Sequence, residues 1–344
     1  LPEARHPQWH GWHLFACDGS DIALPDTDSL AEYFGRCLYT TNTGKNDASF
    51  PMAKALMIND VLNGITLCGS LWPVATDERR MFTDIFTELM YIWPFDLSRS
   101  IGIFDRGYFS LKIFKDMDQA GMKFLIRVPL SSCVVKKFVD SGVTEAVIDW
   151  KPSNSSSLTN DPQWVKSGRK TISVRLVRVV LPDGQIEVLA TNLTSDEVAA
   201  PRMKELYFMR WPVEVEYLHY KHALVIEAFS GARPICVRQD FFATILVHNM
   251  VRLITVISQE EVRCDNTHKK LDYKSNVAIL VGIFYSLYIR MMVQGSVGRC
   301  IDILYETACC ALTPIRKGRS FPRKRIRHKS SDRNRTRINR KRVC

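Results

Sequence analysis

The first 128 residues alternate short apolar runs with amphipathic stretches. The apolar runs have the length and composition of buried strands, and they are Gly11–Cys17, Lys54–Ile58, Ile65–Trp72, Ile101–Phe104 and Phe124–Val128. Stretches that begin near Asp77 and Ser110 carry apolar residues at helical spacing behind a capping side chain. The order of strand, hairpin, helix, strand, helix and strand predicts an α/β fold with a mixed sheet covered by helices.

Turn-forming dipeptides refine this order. Asp18-Gly19-Ser20 predicts a turn that ends the first strand, and Asn63-Gly64 predicts a tight hairpin. Beyond residue 128, apolar and polar residues alternate on both sides of Asp183-Gly184, which predicts a second hairpin. The region therefore reads as a β-rich insertion.

The remainder of the chain has a helical pattern up to residue 312. Three stretches, 238–260, 277–293 and 296–312, carry apolar residues at helical spacing. The longest apolar run, Val277–Ile289, is too short to span a bilayer and predicts a buried helix. We therefore expect no membrane partner.

Charge is concentrated at the C-terminal end. The chain has 344 residues, of which 46% are hydrophobic and 24% charged, as in ordinary globular proteins. The net charge is +11, but residues 314–344 alone hold 14 Lys or Arg and one acid. The rest of the chain, with 33 bases and 35 acids, carries −2. We expect a disordered basic tail at 314–344, and a DNA-binding face on the folded body has to be a local patch.

The ten cysteines include no Cys-x-x-Cys pair, which argues against a thiolate zinc site. No signal peptide is recognisable, so we expect reduced thiols and a cytoplasmic location. The sequence begins with Leu1 and leads at once into a strand. We expect that a segment precedes it.

Two aspartates occupy the same local context. Asp18 and Asp105 each follow a short apolar strand and each precede a glycine-containing motif. Carboxylates at strand ends can converge at one edge of a sheet, where their oxygens would suit Mg²⁺. The alternative is that both residues only form turns, a common role for aspartate.

A third acid lies in the segment from Tyr207 to Lys221. Its spacing is Y-x2-R-x3-E-x6-K, with Arg210 and Glu214 at the middle positions. At about 100° per residue, Glu214 and Lys221 share a helical face, and Tyr207 and Arg210 join it if the helix continues past Pro212. The alternative is a salt-bridged surface helix.

Three motifs in order resemble those of bacterial insertion-sequence transposases with a DDE (Asp-Asp-Glu) catalytic core, in the subgroup marked by a Tyr-Arg-Glu-Lys signature. They are Asp18-Gly19-Ser20, Asp105-Arg106-Gly107-Tyr108, and the segment that contains Glu214. The resemblance covers about residues 12 to 250.

The resemblance implies a ribonuclease H-like mixed sheet flanked by helices, with a β-rich insertion between the second Asp and the Glu. The expected organisation is a first part of the catalytic core at 1–128, the insertion at 129–194, a second part of the core at 195–260, a C-terminal helical region at 261–313 and the tail at 314–344.

The resemblance also implies a chemistry. Asp18, Asp105 and Glu214 would bind two divalent cations, Mg²⁺ with Mn²⁺ as the alternative, and would catalyse phosphodiester hydrolysis at transposon ends followed by joining of the 3′-OH to target DNA. Tyr207, Arg210 and Lys221 would contact DNA phosphates. The expected partners are inverted-repeat ends, target DNA at the bacterial nucleoid, and a second copy of the chain in synapsis.

Two other functions remain open on the sequence. The chain would bind DNA or inhibit transposition without cutting if it is a truncated or inactive copy. A stand-alone nuclease on the same core would hydrolyse DNA without joining the product to a target.

Overall fold

A computed structural model describes residues 7–40, 46–93, 95–154 and 156–316. The strands in these ranges are β1 (His13–Ala23), β2 (Arg36–Thr40), β3 (Asn46–Asp60), β4 (Ile65–Pro73), β5 (Ser100–Phe104), β6 (Lys123–Val128), β7 (Glu145–Trp150), β8 (Ile172–Val180), β9 (Ile186–Thr191), β10 (Tyr273–Ser275) and β11 (Leu312–Pro314). The α-helices are α1 (Asp28–Phe34), α2 (Glu78–Ile92), α3 (Leu111–Gln119), α4 (Cys133–Asp140), α5 (Pro162–Ser167), α6 (Ala200–Phe208), α7 (Pro212–Leu218), α8 (Pro234–Asp265), α9 (Val277–Gln294) and α10 (Val297–Cys310).

The chain divides into two compact units, which we name the core unit and the helical unit. The core unit comprises the described residues within Arg5–Ser20 and Lys54–Glu216, and the helical unit comprises those within Asp21–Ala53 and Tyr217–Cys344. The boundaries expected from the sequence at 128, 194, 260 and 313 remain predictions.

The core unit is built on one mixed sheet. Within this unit the strand order is β3-β1-β5-β6-β9-β8-β7, and β4 pairs with β3 off this path. β1, β5 and β6 are parallel neighbours, whereas β9, β8 and β7 continue the sheet as antiparallel strands. The predicted α/β fold, with a mixed sheet flanked by helices, is confirmed.

The helices of the core unit bury the faces that the sequence pattern indicates. Asp77 caps α2 by accepting a hydrogen bond from the backbone N–H of Arg79, and the helix buries Phe82, Ile85 and Leu89. Ser110 caps α3 in the same way. One continuous apolar cluster joins these helices to the sheet.

The segment from 129 to 194 contributes strands β7, β8 and β9 but also helices α4 and α5. Asp183-Gly184 lies between β8 and β9, and Gly184 has a φ of 80°, as the predicted hairpin requires. Because β9 pairs with β6, this segment extends the main sheet. Trp150 and Trp164 are buried in its core.

The turn predicted at Asp18-Gly19-Ser20 is wrong. β1 continues through these residues and ends at Ala23. Beyond the polar residues the strand regains buried apolar side chains at Ile22 and Ala23. Residues that favour turns in isolation therefore stay extended where sheet pairing and burial continue on both sides.

The helical unit contains α1, the long helix α8, the helices α9 and α10, and the short pair β10–β11. The prediction of a buried helix at 277–289 is only partly met, because Ile289 is 68% exposed. By length and composition alone α8 and α9 could each cross a membrane, a test that core helices of soluble proteins also pass, and a third of each apolar window is buried. Of the predicted tail, residues 317–344 lie outside the described residues.

We predict that Gly102→Ala destabilises the core unit. Gly102 lies on β5 opposite Phe15, and a Cβ on residue 102 would lie 2.6 Å from Phe15 Cζ and 2.7 Å from Phe104 Cε2. Overpacking of this kind costs about 1–3 kcal/mol, measurable by urea unfolding. Combined with Phe15→Leu, which shortens the obstructing ring, the change should cost less than the sum of the two single changes. Strict additivity would contradict this explanation.

A second prediction concerns a buried ion pair between α3 and the segment before α5. Lys115 Nζ lies 3.0 Å from Asp161 Oδ2, and the two side chains are 3% and 8% exposed. Burial alone would raise the pKa of Asp161, but hydrogen bonds from the backbone of Trp164 and from Lys115 lower it to about 2. The charged carboxylate therefore stabilises the fold above its unfolded-state pKa, near 4, and this contribution is lost as the pH falls through about 2.

Asp161→Asn should accordingly lower the free energy of unfolding by about 2–3 kcal/mol at pH 7 and by about half as much at pH 3. Urea titrations of both proteins at the two pH values measure the difference. An equal loss at pH 7 and pH 3 would show that the charge of Asp161 does not contribute.

Candidate active site

The parallel register of β1 and β5 places the first two acids side by side. Ala16 pairs with Ile103 in this ladder. Continuing the register by two residues brings Asp18 beside Asp105, on strands that lie about 4.8 Å apart, with both side chains on the same face. The two carboxylates are close enough that the charge of Asp105 raises the pKa of Asp18.

Local hydrogen bonds hold each of these carboxylates. Asp105 Oδ1 accepts a hydrogen bond of 2.7 Å from the backbone N–H of Gly107 and so caps the 3-10 turn Arg106–Tyr108. A Cβ on residue 107 would lie 3.0 Å from the same oxygen, which explains why a glycine suits this position. Asp18 Oδ1 accepts a hydrogen bond of 3.0 Å from the backbone N–H of Gly19.

Glu214 reaches the same site through Arg210. Nη2 of the Arg210 guanidinium donates a hydrogen bond of 2.8 Å to Glu214 Oε1, and the Arg210 side chain is only 12% exposed. Burial raises the pKa of Asp18 to about 7, whereas the charge of Arg210 acts in the opposite direction. Arg210 therefore interacts with both Glu214 and Asp18.

The predicted single helical face from Tyr207 to Lys221 is wrong. α6 ends at Phe208 and α7 begins at Pro212, with Arg210 in the turn between them. Proline disfavours helical backbone in the residue before it and has no N–H to continue a helix, so the chain turns here. The turn nevertheless keeps Arg210 in contact with Glu214.

Tyr207 belongs to the same cluster of charges. Burial raises the pKa of its phenol, the cations Arg210 and Arg127 lower it, and Asp105 raises it. Arg127 lies on β6 and forms an ion pair with Glu187 at 2.5 Å. The sequence analysis did not select Arg127, although a cation within an otherwise apolar strand was a signal for it.

Lys221 lies in the helical unit, not in the core unit that holds the other candidate residues. A π-helix at His219–Ala223 follows α7, so the 3.6-residue period does not extend to residue 221. The Lys221 ammonium donates to the backbone carbonyl of Asp21 over 3.0 Å. The structure thus brings together Asp18, Asp105, Glu214, Arg210 and Tyr207, while a DNA contact by Lys221 remains a prediction.

The donor chemistry of the site fits a divalent cation. Asp18, Asp105 and Glu214 offer carboxylate oxygens, the ligands that Mg²⁺ and similar hard cations prefer. Burial and the neighbouring charge of Asp105 both oppose ionisation of Asp18. A bound cation would relieve this cost, because it adds positive charge next to the crowded carboxylates.

The family model of the transposase DDE domain matches residues 13–250, more than half of the chain. The chain therefore belongs to the DDE transposase family, whose members cleave DNA and transfer strands with divalent metals. Individual transposases match the chain at 23% and 25% identity.

Two of these relatives are from Escherichia coli (strain K12). The chain is 23% identical to transposase InsG of insertion sequence element IS4 over 327 residues, which are 92% of this chain and 68% of InsG. It is 25% identical to the putative transposase InsZ over 136 residues, 40% of this chain and 42% of InsZ.

Among solved structures, the piggyBac transposase synaptic complex with hairpin DNA matches with a TM-score of 0.47 and 10% identity over 86% of this chain and 57% of that chain. A TM-score below 0.5 does not establish a shared fold, so the fold assignment rests on the strand order described above.

We predict that Arg210→Ala destabilises the metal-free protein by about 2–4 kcal/mol, because Glu214 and Asp18 lose a partly buried cation. Divalent metal should restore part of the loss. Urea unfolding in EDTA would measure the loss of stability, and urea unfolding with Mg²⁺ in molar excess over the protein would measure its restoration. Arg80→Ala is the matched control, since this guanidinium is 74% exposed and its 3.6 Å pair with Asp84 should contribute less than about 0.5 kcal/mol. Equal losses for the two variants would contradict the prediction.

Proposed function

We propose that the chain cuts phosphodiester bonds at the ends of a mobile DNA element and joins the freed 3′-OH to target DNA. The observation that carries this proposal is the placement of Asp18 beside Asp105 by strand register, with Glu214 connected to Asp18 through Arg210. The order of the three motifs along the chain and the family membership support it. We also propose that the chain belongs to the subgroup marked by the Tyr-Arg-Glu-Lys signature.

Asp18, Asp105 and Glu214 would hold two Mg²⁺ ions, with Mn²⁺ as a substitute. When bound, the two ions would supply a lower pKa for the attacking water and charge stabilisation for the leaving 3′ oxygen. The carboxylates would fix the position of this chemistry because Asp18 lies on β1 and Asp105 directly follows its paired neighbour β5.

The cationic and phenolic side chains would bind the substrate backbone. Arg210 keeps Glu214 oriented and can present its remaining N–H groups to a phosphate. The Tyr207 phenol, whose pKa is raised by burial, stays protonated and can donate a hydrogen bond to a phosphate oxygen. Lys221 would add a third phosphate contact.

The partners follow from this chemistry. We propose that the DNA substrates are the inverted-repeat ends of the element and a target duplex, and that two copies of the chain act together in synapsis. The site of action would be the cytoplasm, at the bacterial nucleoid.

The test is DNA cleavage by the full chain with Mg²⁺, using as substrate the inverted repeats that flank its gene. We expect Asp18→Asn, Asp105→Asn and Glu214→Gln each to reduce cleavage by about 10³-fold or more, while end binding in a mobility-shift assay changes by less than about threefold. Glu205→Gln, which removes an acid that is 53% exposed on α6, should cleave as the parent does.

The other outcomes separate the rival functions. Cleavage by Glu214→Gln at the parent rate would refute the site. Binding without cleavage by the parent itself would identify a DNA-binding copy that no longer cuts. Cleavage of ends without joining of precut 3′-OH ends to a target plasmid would identify a nuclease.

A further inference from the structure

Glu78 brings another carboxylate to the same edge of the sheet. It is the first residue of α2, directly after the capping residue Asp77. Its carboxylate occupies the space that a side chain on residue 19 would fill: a Cβ there would lie 2.5 Å from Glu78 Oε1 and 2.8 Å from Oε2. Glycine at position 19 is therefore what lets Glu78 approach β1 so closely.

This position is next to the predicted metal ligands. Gly19 follows Asp18, and successive positions of a strand face opposite sides of the sheet. Glu78 thus approaches Asp18 from the α2 side of the sheet. The Glu78 carboxylate therefore lies against the residue that directly follows Asp18 in β1.

A cation accompanies the carboxylate of Glu78. Lys54 Nζ, on β3, lies 3.6 Å from Glu78 Oε1, and the two side chains are 19% and 32% exposed. The Lys54 ammonium thus provides positive charge beside the carboxylate when no metal is bound.

A helix-capping role does not account for this arrangement. An acid in the first turn of a helix stabilises the helix by about 0.3–1 kcal/mol from the solvent-exposed side, without contacting a strand. Asp77 already supplies the cap of α2. The close packing of Glu78 on Gly19 needs another explanation.

We propose that Glu78 is a fourth carboxylate of the metal site, which helps Asp18, Asp105 and Glu214 to hold a divalent cation. This inference rests on the proposed function. A cation beside Asp18 would then be approached from both faces of the sheet, and Lys54 would hold Glu78 in place when no cation is bound.

The test is Mn²⁺ binding to the full chain without DNA, measured by titration calorimetry or electron paramagnetic resonance. We expect Glu78→Gln, which keeps the shape of the side chain, to weaken binding by about 10-fold or more. Gly19→Ala should weaken it as well, because the added methyl group displaces the Glu78 carboxylate. Asp84→Asn is the matched control, since Asp84 is a more exposed acid on the same helix and should leave affinity unchanged.

Lys54→Met separates a metal-holding role from a structural one. If Glu78 binds the cation, removing the competing ammonium should strengthen Mn²⁺ binding severalfold. If the Lys54–Glu78 pair only stabilises the fold, this variant should lower the melting temperature without raising Mn²⁺ affinity, and the proposal fails.

A further variant distinguishes failure of this inference from failure of the proposed function. Asp105→Asn should weaken Mn²⁺ binding in every case in which the metal site exists. If Asp105→Asn weakens binding and Glu78→Gln binds as the parent does, Glu78 is not part of the site. If neither variant changes Mn²⁺ affinity, the metal site itself is misassigned and both proposals are overturned.

Discussion

The parallel pairing of β1 with β5 is the constraint on which the rest of the site depends. The ladder runs to Ala16 and Ile103, and two residues further along the same register it brings Asp18 beside Asp105, where two like charges repel each other. The electrostatic cost falls on Asp18, whose pKa rises to about 7. The pairing itself requires close packing, because Gly102 leaves space for the ring of Phe15 across the strands. The backbone thus keeps in place a charge arrangement that the side chains alone would avoid.

Elements with local signals were predictable from the sequence. The cap at Ser110, the helical spacing of Phe82, Ile85 and Leu89, and the Asp-Gly turn between β8 and β9 are determined by residues within one turn or hairpin. Their physical causes are short-range hydrogen bonds and burial of one face, which sequence periodicity reports directly. These elements were sufficient to indicate the mixed sheet and its helical cover.

The remaining features depend on contacts between distant segments. The extension of β1 through Asp18-Gly19-Ser20 is stabilised by its neighbours in the sheet, whereas the residues themselves favour a turn. The sequence indicated three acids and Arg210 as candidate site residues, which remains a prediction, but it did not indicate Arg127 or Glu78. A cation in an apolar strand marked Arg127 without showing its partners, and Glu78 has the appearance of an ordinary acid at a helix start. Only the folded chain brings them to Tyr207 and Gly19.

The distribution of charge around Asp18 explains why this residue is the most perturbed acid of the site. Its carboxylate interacts with Arg210 and with the carboxylates of Asp105 and Glu78. The two cations of this group are each paired with another acid: Arg210 lies 2.8 Å from Glu214, and Lys54 lies 3.6 Å from Glu78. Their charge is therefore shared, and the compensation that reaches Asp18 does not outweigh its burial. Negative charge at Asp18 is therefore left without full compensation by these side chains, and a divalent cation bound there would supply compact positive charge to balance it.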